Sequence, residues 1–159
     1  MVRVRVRNSC LSLCVAIVIL STSLGCANAN ERKARIFFAK PVAVQLEQFP
    51  SYDLSDQYSL YIYGCQIEHP PSIYLAEPLA REGRTAASLL SKQLAETHND
   101  LTIRDIVLVF SWMKRLETYD FRVDTKLRTL LTQKVGTMND PGWKKISQRQ
   151  LAEIYPSAT

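Results

Sequence analysis

Few of the 159 residues carry side chains able to do covalent or acid–base chemistry. His69 and His98 are the only histidines, each beside a break in the apolar pattern, with Glu68 and Asp100 close by in sequence. An imidazole and a carboxylate brought together could move protons or hold a divalent metal. Cys65, in the segment YIYGCQ, offers a thiol, but a nucleophilic cysteine needs a charged or polar neighbour to form its thiolate. Here it falls on the apolar face of a helical pattern, where an unpaired cysteine behaves as a small hydrophobe. The chain lacks G-x-S-x-G, a Walker loop, H-E-x-x-H and a C-x-x-C pair. The expectation is therefore no catalytic residue, no metal and no cofactor, with a small enzyme built on His69, His98 and Cys65 as the competing reading.

Recognition is better provided for. Tyr58, Tyr61, Tyr63 and Tyr74 gather around the Pro70–Pro71 turn, and Lys144, Lys145 and Arg149 form one side of the last helical segment. Aromatic residues are enriched at interfaces, and a basic face can meet an acidic partner or lipid headgroups. These seven residues are the candidate partner surface. The alternatives are that the tyrosines pack internally and the cations are simply solvated. Trp112 and Trp143 read as packing residues.

The elements that must position these residues are helical. Asp53 or Ser55 caps a helix that places Tyr58, Tyr61, Ile62 and Cys65 on one face as far as Pro70. A second run over 72–82 ends at Gly83 and contains Pro78, which predicts a kink or a break. Four better-patterned helices follow over 84–97, 102–117, 122–138 and 142–154, joined by short polar links that make neighbours antiparallel. The second of these, with Ile103, Ile106, Val107, Phe110 and Met113, is apolar around most of its circumference and should be the most buried. Val123, Leu127, Leu130, Leu131, Val135 and Met138 supply the next stripe, and Trp143, Ile146, Leu151 and Ile154 the last. Ile36–Val44 is the one stretch that could alternate as a strand, and no other strand pattern is convincing, so the expected class is all-α.

The N-terminus reads as an export signal. Arg3, Arg5 and Arg7 precede an uncharged apolar run, Cys10–Leu20, followed by small and polar residues. The run is too short for a retained membrane span, which takes roughly 20 apolar residues. Two processing sites compete. Ala27-Asn28-Ala29 fits the A-x-A pattern and gives a product starting at Asn30, ending the signal at 29. Ser23-Leu24-Gly25-Cys26 resembles a bacterial lipobox, although its first two positions are inverted relative to that family's order. The resemblance implies a signal over 1–25 and lipid attachment at Cys26, anchoring the chain to a membrane. Residues 26–55 then read as a charged tether and N-terminal arm, and 56–155 as the helical domain. The net charge of +5 falls to +2 once the three signal arginines leave, and from Pro41 onward there are 13 basic against 14 acidic residues. The basic balance thus gives no argument for nucleic-acid binding.

An internal repeat organises the helical part. Thr97-His98-Asn99-Asp100 aligns with Thr137-Met138-Asn139-Asp140 at an offset of 40, which continues through Ile103/Trp143, Arg104/Lys144 and Ile106/Ile146. Leu89, Leu90 and Leu94 meet Leu130, Leu131 and Val135 at an offset of 41. Paired helices with a period near 40 resemble HEAT repeats, with units at about 84–120 and 121–155 and residues 56–83 as a degenerate first unit. The resemblance implies a short right-handed stack of antiparallel helix pairs; a small irregular helical bundle is the alternative. It also implies that Asp100 and Asp140 cap the second helices, and that Arg104 and Lys144 pair with acids of neighbouring units. HEAT-like stacks work by binding. The expected function is an exported, periplasmic or membrane-anchored protein-binding module acting on another envelope or secreted protein as adaptor, assembly factor or inhibitor/immunity-type partner.

Overall fold

Helix-forming pattern and capping chemistry agree along most of the chain, and the computed structural model, which describes residues 29–156, is all-helical over that range. The segment read as an export signal, Cys26 and both candidate processing sites up to Asn28 lie outside the described residues. Two compact units divide after Lys40. In the first, residues 29–38 form a helix (α1) rather than a patternless tether, with Ala34 and Phe37 buried and the rings of Phe37 and Phe38 edge to face at 5.0 Å.

The second unit begins with α2, Val42–Gln48, and a 3-10 turn, Phe49–Ser51, so the proline-bracketed arm is helical too. Helix α3, Leu54–Gln66, is capped by Asp53, whose carboxylate accepts from the Asp56 N–H. Its buried face is Gln57, Leu60, Tyr61, Gly64 and Cys65. The stripe thus passes between the expected positions and leaves Tyr58 and Ile62 on its flank. The run over 72–82 resolves into a 3-10 turn, Ile73–Leu75, and α4, Ala76–Arg81. Pro78 lies in the first turn of α4, where no backbone N–H is required, so it bends nothing.

The segment ends at Gly83 as expected, since α4 stops at Arg81 with Glu82 as its C-cap. The glycine's φ of +55° turns the chain directly into α5, Gly83–Glu96. A Cβ there would stand 2.9 Å from the Thr118 carbonyl oxygen, so glycine is required twice over, by conformation and by space. The Thr118 hydroxyl donates to the Ala80 carbonyl across the same junction.

Helix α6, Asp100–Arg115, is the centre of this unit. It buries Ile103, Asp105, Ile106, Val107, Val109, Phe110, Ser111 and Met113, and packs most extensively against α8 (Pro141–Ile154), with α4, α5, α7 (Thr125–Thr137) and α3 around it. Complete burial of a Leu, Ile, Val, Phe or Met side chain contributes about 1.5–3 kcal/mol, which makes this helix the main apolar investment of the fold. It ends in a Schellman turn, with Thr118 N–H on the Met113 carbonyl and Glu117 N–H on that of Lys114, and Glu117 in the left-handed region. Helix α7 starts three residues later than its apolar pattern suggests, because Asp124 caps it by accepting from the Leu127 N–H. Val123 consequently stands outside the helix, 75% exposed.

Candidate binding surface

The two links of similar sequence, 97–100 and 137–140, are joined by polar groups. Asn99, rather than Asp100, caps α6 by accepting from the Thr102 N–H. Asp100 sits one residue inside the helix, where its carboxylate accepts from the backbone N–H groups of Asn139 (2.8 Å) and Asp140 (2.7 Å) in the link between α7 and α8. Asp140 caps α8 through the Trp143 N–H. Lys134 of α7, nearly buried, donates to the carbonyl of Thr97 at the end of α5 (2.7 Å).

Arg104 and Lys144 do not form a charged ladder between units. Arg104 pairs with Asp105 of its own helix and lays its guanidinium over the Trp143 ring at 4.4 Å. Lys144 donates to the carbonyls of Gly136 and Met138 at the end of α7, where a cation suits the negative end of the helix dipole.

A buried polar cluster ties α3 to α6. The Asp105 side chain is 1% exposed and accepts from Arg104 and from Gln66, whose amide also donates to Thr102. The Tyr61 hydroxyl donates to the backbone carbonyl of Asp105 at 2.8 Å. Burial raises the Asp105 carboxyl pKa, with the adjacent Arg104 acting against it. Burial also pushes the Cys65 thiol up to about 12, with the Asp105 charge adding to the effect. These groups fix two helices together; a thiol held protonated there is a poor nucleophile.

The seven candidate partner residues are not one surface. Tyr61 is wholly buried in the core, so it cannot meet a partner. Tyr58 is half-buried, its hydroxyl pKa pushed up to about 12 by burial and then by the Asp105 and Glu96 charges. Tyr63 is likewise of intermediate exposure, and Tyr74 donates from its hydroxyl to Gln45 of α2. Lys144 is committed to the α7 carbonyls, whereas Lys145 and Arg149 are exposed on α8. His69, in a cis peptide bond to Pro70, and His98 are exposed in separate turns. Among the described residues no three His, Cys, Asp or Glu side chains are placed to hold a metal ion.

A different surface is concave. Leu46 of α2, Ile73 and Tyr74 of the second 3-10 turn, Glu77, Pro78 and Arg81 of α4, and Leu108, Trp112 and Arg115 of α6 line an open groove of about 680 Å³. Its walls are mainly apolar, and Ile73 (57%) and Leu46 (40%) are unusually exposed for their types. The charges are on the rim. Arg81 pairs with Glu77 at 2.7 Å, and Arg115 reaches Glu153 at 2.8 Å with its guanidinium carbon 5.5 Å from the centre of the Trp112 ring. Sequence reasoning missed this groove because three separated segments build it. The available signal was an isoleucine directly after the Pro-Pro-Ser turn and a tryptophan on the flank of an otherwise saturated apolar helix.

No described helix is long and apolar enough to cross a membrane. The chain matches no known protein-family model, and neither a curated protein nor a solved structure is similar to it.

Proposed function

We infer that the chain is an exported, non-catalytic protein-binding module of the cell envelope, serving as an adaptor, assembly factor or inhibitor/immunity-type partner of another envelope or secreted protein. The observation that carries this reading is the groove around Trp112: apolar side chains left exposed in a concave wall, with paired charges only at the rim. The occupant it suits is an amphipathic segment of a partner, its apolar side on Leu46, Ile73, Leu108 and Trp112 and its acidic residues toward Arg81 and Arg115. Exposed ion pairs such as Arg81–Glu77 are worth about 0–1 kcal/mol, so exchanging one for a partner's carboxylate costs little.

The HEAT-like reading supports the same class of function. In it α5/α6 and α7/α8 are successive units of a right-handed stack, and α3/α4 a degenerate first one. The like-with-like packing of α5 on α7 and of α4 and α8 on α6 favours it over an irregular bundle. Export rests on the N-terminal pattern, with lipid anchoring at Cys26 and periplasmic release at Asn30 as the two products; the mass of the mature N-terminus distinguishes them.

The test is a photo-crosslinking residue placed at position 112 in living cells. The binding reading expects an adduct that disappears with Ile73→Asp, while alanine at His69, His98 and Cys65 together leaves both the adduct and the cellular phenotype intact. Loss of phenotype in the triple variant with an unaffected Ile73→Asp protein would instead support the enzyme.

A further inference from the structure

A second cavity, away from the groove, has a chemistry of its own. About 380 Å³ in volume, it lies between Lys114 at the end of α6, Phe121 and Arg122 of the following loop, Arg128 in α7, and Ile154 and Tyr155 at the end of α8. Its aromatic wall is fixed. Phe121 is buried and meets Phe110, Tyr119 and Tyr155 edge to face at 6.0, 4.9 and 5.9 Å.

The charges of the lining do not balance. Three cations, Lys114, Arg122 and Arg128, face one acid, Asp124. That acid is already engaged by the Tyr119 hydroxyl and the Leu127 N–H, and burial together with this bond pushes the Tyr119 hydroxyl up to about 12. Arg122 is held by both oxygens of Asp120 at 2.9 and 3.0 Å. Lys114 and Arg128 have no carboxylate within ion-pair distance among the described residues, and Arg128 rests its guanidinium carbon 5.3 Å from the centre of the Tyr155 ring. The Tyr155 hydroxyl is buried and has no hydrogen-bond partner. That hydroxyl is closed to solvent, so Tyr155 offers the cavity its ring and not its oxygen.

We propose that this cavity binds a carboxylate carried on an aromatic or branched apolar group, with the carboxylate between Lys114 and Arg128 and the apolar part on Phe121, Ile154 and the Tyr155 ring. A phosphate would want a cradle of backbone N–H groups, and the nearest, at the start of α7, is taken by the Asp124 cap. A singly charged, planar acceptor backed by a ring matches two cations above an aromatic wall. The same chemistry is offered by a free apolar carboxylic acid and by the C-terminus of a peptide ending in an apolar residue. The site stands independently of the groove.

The test uses the full mature chain and heteronuclear NMR titration with 3-phenylpropionate, its neutral amide, and Gly-Gly-Phe with free or amidated C-terminus. The expected result is at least ~10-fold preference for each acid over its amide, a difference equivalent to about 1.4 kcal/mol. Lys114→Gln and Arg128→Gln should each weaken the acids ~5-fold or more, and Lys92→Gln should change nothing. Tighter binding of the free tripeptide assigns the source as a peptide terminus; tighter binding of 3-phenylpropionate assigns a small acid. Equal shifts with acid and amide, no saturation by any acid, or acid binding indifferent to both cation variants would overturn the assignment. Circular dichroism of each variant separates a lost ligand from a lost fold.

Discussion

Two left-handed residues of like φ do opposite things at the ends of adjoining helices. Gly83 needs to be glycine, because a Cβ adds left-handed strain of about 1–2 kcal/mol and a contact with the Thr118 carbonyl. Gly83→Ala should therefore lower stability by at least about 2 kcal/mol in urea denaturation. Glu117 occupies the same region at the Schellman turn of α6 without needing its side chain there. Glu117→Gly should raise stability by about 0.5–1 kcal/mol, the reverse sign for a change to the same residue type. Single residues were also where sequence reasoning was least able to assign roles. Tyr61 and Tyr63 are separated by one position, yet only the first is in the core, and that depends on which face of α3 meets α6. Asp105, the most deeply buried acid described, carries no local mark distinguishing it from a solvated one.

At the scale of elements, the two links and the helix ends beside them correspond at an offset of 41 rather than 40. The starts of α6 and α8 (Asp100, Pro141), the ends of α5 and α7 (Glu96, Thr137) and the caps Asn99 and Asp140 all differ by 41. So do the deeply buried pairs Ile106/Ser147 and Met113/Ile154. The 40-residue match of the Asn-Asp dipeptides misled because Asn and Asp both make good caps, and the first unit uses the former while the second uses the latter. The displaced Asp100 is thereby freed to bind the next junction's amides. This makes a prediction for a variant series: Asn99→Ala should cost about 1 kcal/mol as a lost cap. Asp100→Asn should cost a similar amount through the 139–140 junction, with exchange protection of those two amides falling only in the second variant. Equal loss of that protection in both variants would argue against the assignment. Helix positions themselves were legible to within a few residues because apolar spacing and capping residues agreed. The exceptions were α1, whose charged sequence hides its helix, and the start of α7, set by one aspartate.

For the whole molecule, acid pH should act through groups of opposite sign. The Asp124 carboxyl pKa is lowered by the Tyr119 hydroxyl and the Leu127 amide, and that of Glu153 by Arg115. Each contributes stability that is complete above its unfolded value and lost as pH falls through the lowered one. Asp105 is raised by burial, so its protonation favours the folded state and stability from it increases as pH falls. Asp124→Asn should accordingly be less stable than the parent near ~pH 7, with the gap narrowing below ~pH 4, and Asp105→Asn should steepen the parent's acid loss. Thermal melts across that range check both. The all-α class was readable from the sequence because nearly every apolar residue recurs at helical spacing. The groove and the carboxylate pocket were not, since each is assembled from segments tens of residues apart.

The seating of Arg104 over Trp143 gives the protein two separate optical probes. With only two tryptophans in the chain, one lies in the groove and the other at the seam between α6 and α8. In Trp143→Phe the remaining indole emission reports contact at the groove, whereas in Trp112→Phe it reports separation of the α6–α8 seam. Binding at the groove should shift the first signal and leave the second unchanged, and urea should move the second with the cooperative loss of helical ellipticity.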